Sequence, residues 1–349
     1  MITRFAPSPT GPLHLGHACS ALLAHDMARA AAGRFLIRFE DIDRQRARPE
    51  WEEAALADLS WLGIHADAPP LRQSTRLPAH REALQHLWDI GLLYPCQCTR
   101  RDIEEALSAP QESPAPRTAC DDAALWIAPK DRHGPGATRN PDRADADHSR
   151  TGATAAAPVR SPAEATAMTP IQRTGSRITA APASGPGGPL YPGTCRNLPR
   201  PQRMPDDMHL RLDMVAALDR LGGRSLSFTE TGPVHAGETT VTATRYRQEI
   251  GDIILARRDC GTSYHLAVTL DDAAQQITHV VRGVDLFPST AIHILLQAIL
   301  GLSTPIFYHH RLIRDEQGRR LAKRDHARAL SRYREDGATP EDIRRMAGL

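Results

Sequence analysis

Short apolar and polar blocks alternate through most of the chain and predict strand, turn and helix in succession. Residues 2–6 read as a short buried strand, and the Pro7-Ser8-Pro9-Thr10-Gly11-Pro12 stretch behind them can continue neither a strand nor a helix. From Leu15, the residues Cys19, Leu22, Leu23, Met27 and Ala30 recur at helical spacing. Further helices are predicted over 51–62 and 76–92, the second with Leu77, Leu84, Leu87 and Leu92 on one side. Up to residue 107 this succession is that of an α/β, doubly wound parallel sheet. The pattern returns after Tyr191, with strands expected near 209–213, 251–255, 263–268, 279–281 and 305–309, and a helix over 288–300. A short helical tail is expected over 331–349, and no internal repeat is found.

Residues 108–189 break the pattern. They are rich in Ala, Pro, Thr, Arg, Gly and Asp, and Trp126 is their only aromatic residue. Such a segment buries too little apolar surface to offset its ordering entropy, so a disordered insertion is expected, with 123–128 as a short ordered exception.

A chain of 349 residues has room for one large or two ordinary domains. Its 43 basic and 41 acidic side chains leave a formal charge of +2, which excludes a polymer-binding protein that is basic overall. Any contact with nucleic acid must come from a local patch. No apolar run follows Met1-Ile2-Thr3-Arg4, which argues against a signal peptide. The longest apolar stretch, 292–302, is broken by His293 and Gln297 and is too short to cross a bilayer. Cysteine usage makes the cytoplasm the expected compartment. Lysine is scarce: only Lys130 and Lys323 are lysines, and Lys130 lies in the odd middle segment. A compact ammonium differs from a planar guanidinium and suits charge that migrates onto a leaving phosphate, which gives Lys323 a functional reading.

The sharpest chemistry lies at the start. A strand that empties through a tight loop into a helix N-terminus presents unpaired amides and the positive end of the helix dipole, a setting for polyphosphate. His14 and His17 add imidazole donors there, and Gly16 lets a flat base approach the backbone. A His-x-Gly-His tetrapeptide alone is an ordinary turn with surface histidines; its position between strand and helix favours nucleotide binding.

The run from Arg4 to His17 resembles the ATP-binding start of class I aminoacyl-tRNA synthetases of the glutamyl type. Residues 35–43 (Phe-Leu-Ile-Arg-Phe-Glu-Asp-Ile-Asp) resemble that family's second strand, and Arg282-Gly283-Val284-Asp285-Leu286 its later glutamate-pocket segment. Arg320-Leu321-Ala322-Lys323-Arg324 stands where the family carries a second ATP motif, usually Lys-Met-Ser-Lys-Ser; Ala322 replaces a serine hydroxyl. The resemblance covers 1–107 and 190–330 in one order. It implies a Rossmann-type catalytic core in two halves, with an inserted zinc-binding subdomain and the disordered insertion between them. It further implies activation of L-glutamate by ATP with Mg²⁺, with His14, His17 and Lys323 catalytic and His14, Gly16, His17 and Lys323 on the nucleotide. Arg4, Phe5, Ala6, Pro7, Ser8, Glu40, Tyr264 and Arg282 match the glutamate pocket. In that reading the two arginines pair with carboxylates, Glu40 holds the ammonium, and Ser8 and Tyr264 supply hydroxyls. The bland alternatives are a salt bridge from Glu40 to Arg38 or Arg44, and Arg282 as a surface charge.

The cysteines suggest a second site. Cys96, Cys98, Tyr191 and Cys195 match the family's zinc ligands, a closed and structural set. Because the insertion separates its halves, Cys120 competes with Tyr191 as a ligand, while Cys19 and Cys260 read as unliganded cysteines. Only 26 residues follow Lys323, below the roughly 50 a domain needs, where glutamyl enzymes carry an anticodon-reading domain. The resemblance thus narrows to the truncated branch that transfers glutamate to the queuosine wobble base of tRNA(Asp). The expected partners are L-glutamate, ATP and queuosine-containing tRNA(Asp), with no membrane and a monomeric chain. Two alternatives stay open: a minimal enzyme charging tRNA(Glu), and a non-catalytic module binding tRNA or adenylate.

Overall fold

A computed structural model describes residues 1–108, 184–314 and 328–349. The expected ordered exception at 123–128, Lys130, Cys120 and the second ATP motif with Ala322 and Lys323 lie outside the described residues.

Strand β1 (Ile2–Phe5) hands over through the proline-rich loop to helix α1 (Leu15–Ala30). Ala18, Ala21, Ala24 and Ala28 are all fully buried, and such small side chains let α1 lie close against the sheet. Strand β2 (Arg34–Phe39) pairs in parallel with β1, Ile2 opposite Arg34 and Phe5 opposite Ile37. Helix α2 (Pro49–Trp61), begun by a proline whose missing N–H is no loss there, leads to β3 (Leu71–Arg72), parallel to β2. Helix α3 (Leu77–Asp89) buries Leu84, Leu87 and Trp88, and β4 (Leu93–Cys96) and α4 (Arg100–Ser108) follow.

The second described stretch opens with a hairpin, β5 (Ser184–Gly185) and β6 (Gly188–Pro189), so described structure resumes before the expected boundary at 190. Gly188 takes a φ of +102° at the turn, which a side chain would resist. Then come β7 (His209–Leu212), α5 (Met214–Arg220), β8 (Leu226–Glu230), β9 (Gly237–Val241) and the short α6 (Ala243–Arg245). Strand β10 (Ile254–Ala256), helix α7 (Tyr264–Ala274), β11 (His279–Gly283), α8 (Thr290–Leu300) and β12 (Ile306–His310) complete it. The tail forms α9 (Leu330–Glu335) and α10 (Pro340–Met346).

The strand expected over 263–268 is instead the start of α7. Ser263 caps it through a hydrogen bond from the Leu266 amide, and Leu266, Ala267, Val268 and Thr269 are all buried. A helix covered on every side carries no alternation, so its apolar run imitates a buried strand.

Two parallel sheets carry the doubly wound expectation: β1–β2–β3, and β11–β12–β8 with β9 antiparallel at its edge. They meet where β1 and β11 run side by side, the Thr278 amide donating to Ile2 O at 3.0 Å. A third, antiparallel sheet, β10–β7–β4, lies outside that scheme.

Charge fastens the junction. Arg4 of β1 sets Nε and Nη2 on the two Asp272 oxygens of α7 at 2.9 and 3.3 Å, and the fully buried Arg38 of β2 reaches Asp272 Oδ1 at 2.6 Å. The two guanidiniums hold the Asp272 carboxyl at about 2, against a burial penalty that alone would raise it. That stabilisation is complete above the ordinary carboxylate range and is lost as pH falls through about 2. Asp272→Asn strands two buried cations and is expected to cost about 3–5 kcal/mol in denaturant unfolding at neutral pH. A loss under 1 kcal/mol would mean that the junction does not depend on this charge.

Candidate functional site

The loops that leave the C-terminal ends of β1 and β11 open onto one cleft of about 700 Å³, at the boundary between the two parallel sheets. Open α/β sheets place ligands at such a reversal of strand order. Arg4, Phe5, Ala6, Pro7, Ser8, His14, Gly16, His17, Glu40, Tyr264 and Arg282, spread from residue 4 to residue 282, all line it. Lys323 lies outside the described residues.

At the end of the cleft formed by the start of α1, that helix is capped by histidines. The Gly16 amide donates to His14 Nδ1 at 3.1 Å, and the His14 amide donates to His17 Nδ1 at 3.1 Å. Both Nδ1 atoms therefore act as acceptors, which assigns the ring proton to Nε2 and makes Nε2–H each ring's donor. The rings lie 3.8 Å apart. No acidic residue occupies the first turn of α1, so its positive end is not cancelled locally.

At the other end, three arginines are buried. Arg4 places its Nε–Nη2 fork on Asp272, as described above. Glu40 has its Oε1 3.4 Å from Arg38 Nη2, the bland pairing, and still lines the cleft. Burial pushes the Glu40 carboxyl up, against the opposing pull of Arg38 and Arg4. Arg282 is not a surface charge: it is 5% exposed and has no carboxylate within 4.0 Å among the described residues. Its Nε donates to His309 Nε2 at 3.0 Å, its Nη1 meets His293 Nδ1 at 3.1 Å and its Nη2 donates to Thr290 Oγ1 at 2.8 Å. Burial and the Arg282 charge depress both imidazoles, His309 to about 4 and His293 well below its ordinary range. These neighbours carry no local motif in the sequence; His309 is the penultimate residue of β12, and His293 interrupts the apolar stretch that forms α8.

The cysteines converge elsewhere. The sulfurs of Cys96, Cys98 and Cys195 lie within 4.8 Å of one another, with the Tyr191 hydroxyl 3.4 Å from Cys96 and 3.3 Å from Cys98. Burial and the adjoining thiols push Cys98 up to about 11, a shift that a bound dication would reverse. Arg211 donates from Nε to Cys96 Sγ at 3.3 Å and lies 3.8 Å over the Tyr191 ring, a cation suited to an anionic ligand set. Three sulfurs and a phenol at this spacing fit a four-coordinate metal. Cys19 and Cys260 stand apart from the cluster.

No helix among the described residues is long and apolar enough to cross a membrane.

Residues 1–138 and 230–349 match the family of class I tRNA synthetase (E and Q) catalytic domains. The chain is 48% identical over 353 residues to the glutamyl-Q tRNA(Asp) synthetase of Rhodobacter capsulatus, covering 100% of both. It is 34% identical to the protein of that name from Rhodopirellula baltica, covering 99% of this chain and 83% of that one. Among solved structures, a glutamate tRNA ligase from Elizabethkingia meningosepticum, in complex with its amino acid, superposes with a TM-score of 0.63 at 23% identity. This chain is covered in full and spans 60% of that ligase. The methionyl-tRNA synthetase of Mycobacterium tuberculosis shares the fold at a TM-score of 0.53 and 10% identity.

The cap itself can be tested. His14→Ala removes the acceptor for the Gly16 amide and is expected to cost about 0.5–2 kcal/mol of stability, with His14→Asn recovering most of it. Equal unfolding midpoints for wild type and His14→Ala would show that the imidazole is no cap.

Proposed function

The chain belongs to the class I tRNA synthetases of the glutamate and glutamine group, and on that premise we propose that it activates L-glutamate with ATP and transfers it to the queuosine wobble base of tRNA(Asp). The carrying observation is a single cleft that joins the histidine-capped start of α1 to the buried Arg282, which has no carboxylate partner among the described residues. The relatives named glutamyl-Q tRNA(Asp) synthetase, one of them matched along its whole length, support the acceptor assignment.

In the first step a glutamate α-carboxylate oxygen attacks the α-phosphorus of ATP, and the bond to pyrophosphate breaks. In the second, a hydroxyl of the acceptor nucleoside attacks the acyl carbon, loses its proton and expels AMP. The protein's contribution is positioning and charge. His14 and His17, with Nε2–H donors beside the helix N-terminus, take the nucleotide phosphates, and Gly16 leaves room for the base. Arg282 receives the side-chain carboxylate, Glu40 the ammonium, and Ser8 and Tyr264 hydrogen-bond the amino acid. Arg4 shapes the wall, with Phe5, Ala6 and Pro7 as its backbone. Lys323 meets the departing pyrophosphate, and Mg²⁺ accompanies ATP. A tRNA substrate makes the cytoplasm the site of action, and the chain acts as a monomer.

Supplied with labelled glutamate and ATP, the protein should form adenylate without tRNA. Label should then move only to queuosine-containing tRNA(Asp), as an ester labile to mild base. Efficient charging of tRNA(Glu) would replace this reading with the minimal-ligase one.

We further assign Cys96, Cys98, Tyr191 and Cys195 to one structural Zn²⁺. Elemental analysis should find about one ion per chain, and Cys195→Ser should lose it together with stability. Metal-free protein of undiminished stability would refute the site.

A further inference from the structure

The two arginines of the amino-acid pocket are built differently. Arg4 is neutralised by Asp272, whereas Arg282 rests on three neutral acceptors, His309, His293 and Thr290. A guanidinium has five N–H donors and no acceptor, so each imidazole must turn a bare nitrogen toward it. His309 therefore carries its proton on Nδ1, which points at Glu230 Oε2 at 2.5 Å. Glu230 is fixed in turn by the Gly232 and His309 amides at 2.6 and 2.9 Å, and it stands one imidazole ring away from Arg282. His293 carries its proton on Nε2, 3.3 Å from His265 Nδ1. Each terminal nitrogen of Arg282 has one such bond, and the guanidinium lines the cleft together with Tyr264, whose hydroxyl also interacts with it.

We propose that His293 and His309, the latter oriented by Glu230, are positioning residues that hold Arg282 while leaving its charge uncompensated, and that this sets the preference for a side-chain carboxylate over a carboxamide. A carboxylate partner would hold the guanidinium equally well but would cancel the charge that a substrate anion meets. A carboxamide brings N–H donors against a group that can only donate, so glutamine is rejected by the same frame. The inference rests on the glutamate reading of the cleft.

The isosteric pair His293→Asn and His293→Asp tests it in ATP–pyrophosphate exchange. Asn keeps a neutral acceptor where Nδ1 stood and should change the KM for glutamate by a few-fold at most. Asp has the same shape but adds the charge, and should raise that KM by roughly 10- to 100-fold, the worth of a hydrogen bond to a charged group. The KM for ATP should stay near the wild-type value, and the ratio of glutamate to glutamine turnover should fall. A merely structural role would damage both variants alike and move both KM values. Should His293→Asp fail to fold, His309→Gln against His309→Leu makes the comparison by keeping or deleting the acceptor, with KM for glutamate again the readout. Equal glutamate KM values within a pair would overturn the inference. Wild-type protein inactive with glutamate would instead overturn the function it rests on.

Discussion

The architecture depends on dehydrating three arginines beneath one cleft. Arg4, Arg38 and Arg282 are each at most 5% exposed, and a buried charge is costly unless it is paired. Asp272 serves two of them and Glu40 adds a second carboxylate, so the groups at the cleft floor keep one cation in excess. Glu230 stands behind the His309 ring and does not touch Arg282. An amino acid bearing two carboxylates and one ammonium has one net negative charge and complements that excess. The same pairs also join β1, β2 and α7, so the charge that shapes the pocket is the charge that fastens the two halves of the sheet. Substitutions aimed at one will register in the other.

The α1 end of the cleft obeys a related rule, that orphan donors must be met. A serine or aspartate is the common helix cap; here imidazoles accept the early amides, and a carboxylate cap would have weakened the field of the helix terminus. Capping and proton placement are one event, since a ring that accepts at Nδ1 donates at Nε2. Neutral histidines with assigned tautomers thus occur at both ends of the cleft, oriented by amides at one and by a guanidinium at the other. Neither end has to reorganise its protons to present donors, which is the advantage of a preorganised site.

Local pattern made much of this legible. The strand, loop and helix of residues 2–30 follow from prolines, glycine and apolar spacing within thirty residues of each other, and the structure has them where the pattern puts them. The pocket segments were recognisable because they stand in one order in the chain. What the pattern did not show is non-local. Asp272, His293, His309 and Glu230 acquire their roles only when α7, α8, β12 and β8 converge, and nothing in their neighbours' sequence marks them. The run at 263–268 failed for the same reason: a helix enclosed on all sides loses the polar stripe that would distinguish it from a strand. Residues 184–189 were assigned to the insertion on composition, yet Gly185, Gly188 and Pro189 are hairpin residues when neighbouring chain packs on them; a Cβ on Gly185 would lie 2.0 Å from Glu249 O.

The lone lysine of the recognisable sequence can be approached through its flanks. Leu312 and Ile313 line the cleft wall, and the chain beyond residue 327 returns beside the histidines: Ala329 bridges His14, and the Leu330 amide donates to Leu13 O at 2.8 Å. The tail then locks onto α1, Arg344 meeting Asp26 at 2.6 Å and Ile343 fully buried, so the return point is held by packing as well as by one backbone bond. The described residues on either side of the segment that carries Lys323, Leu312 and Ile313 before it and Ala329 and Leu330 after it, therefore lie at the cleft and beside the start of α1. Among 43 basic side chains nearly all are arginine, and one of the two exceptions falls between these anchors.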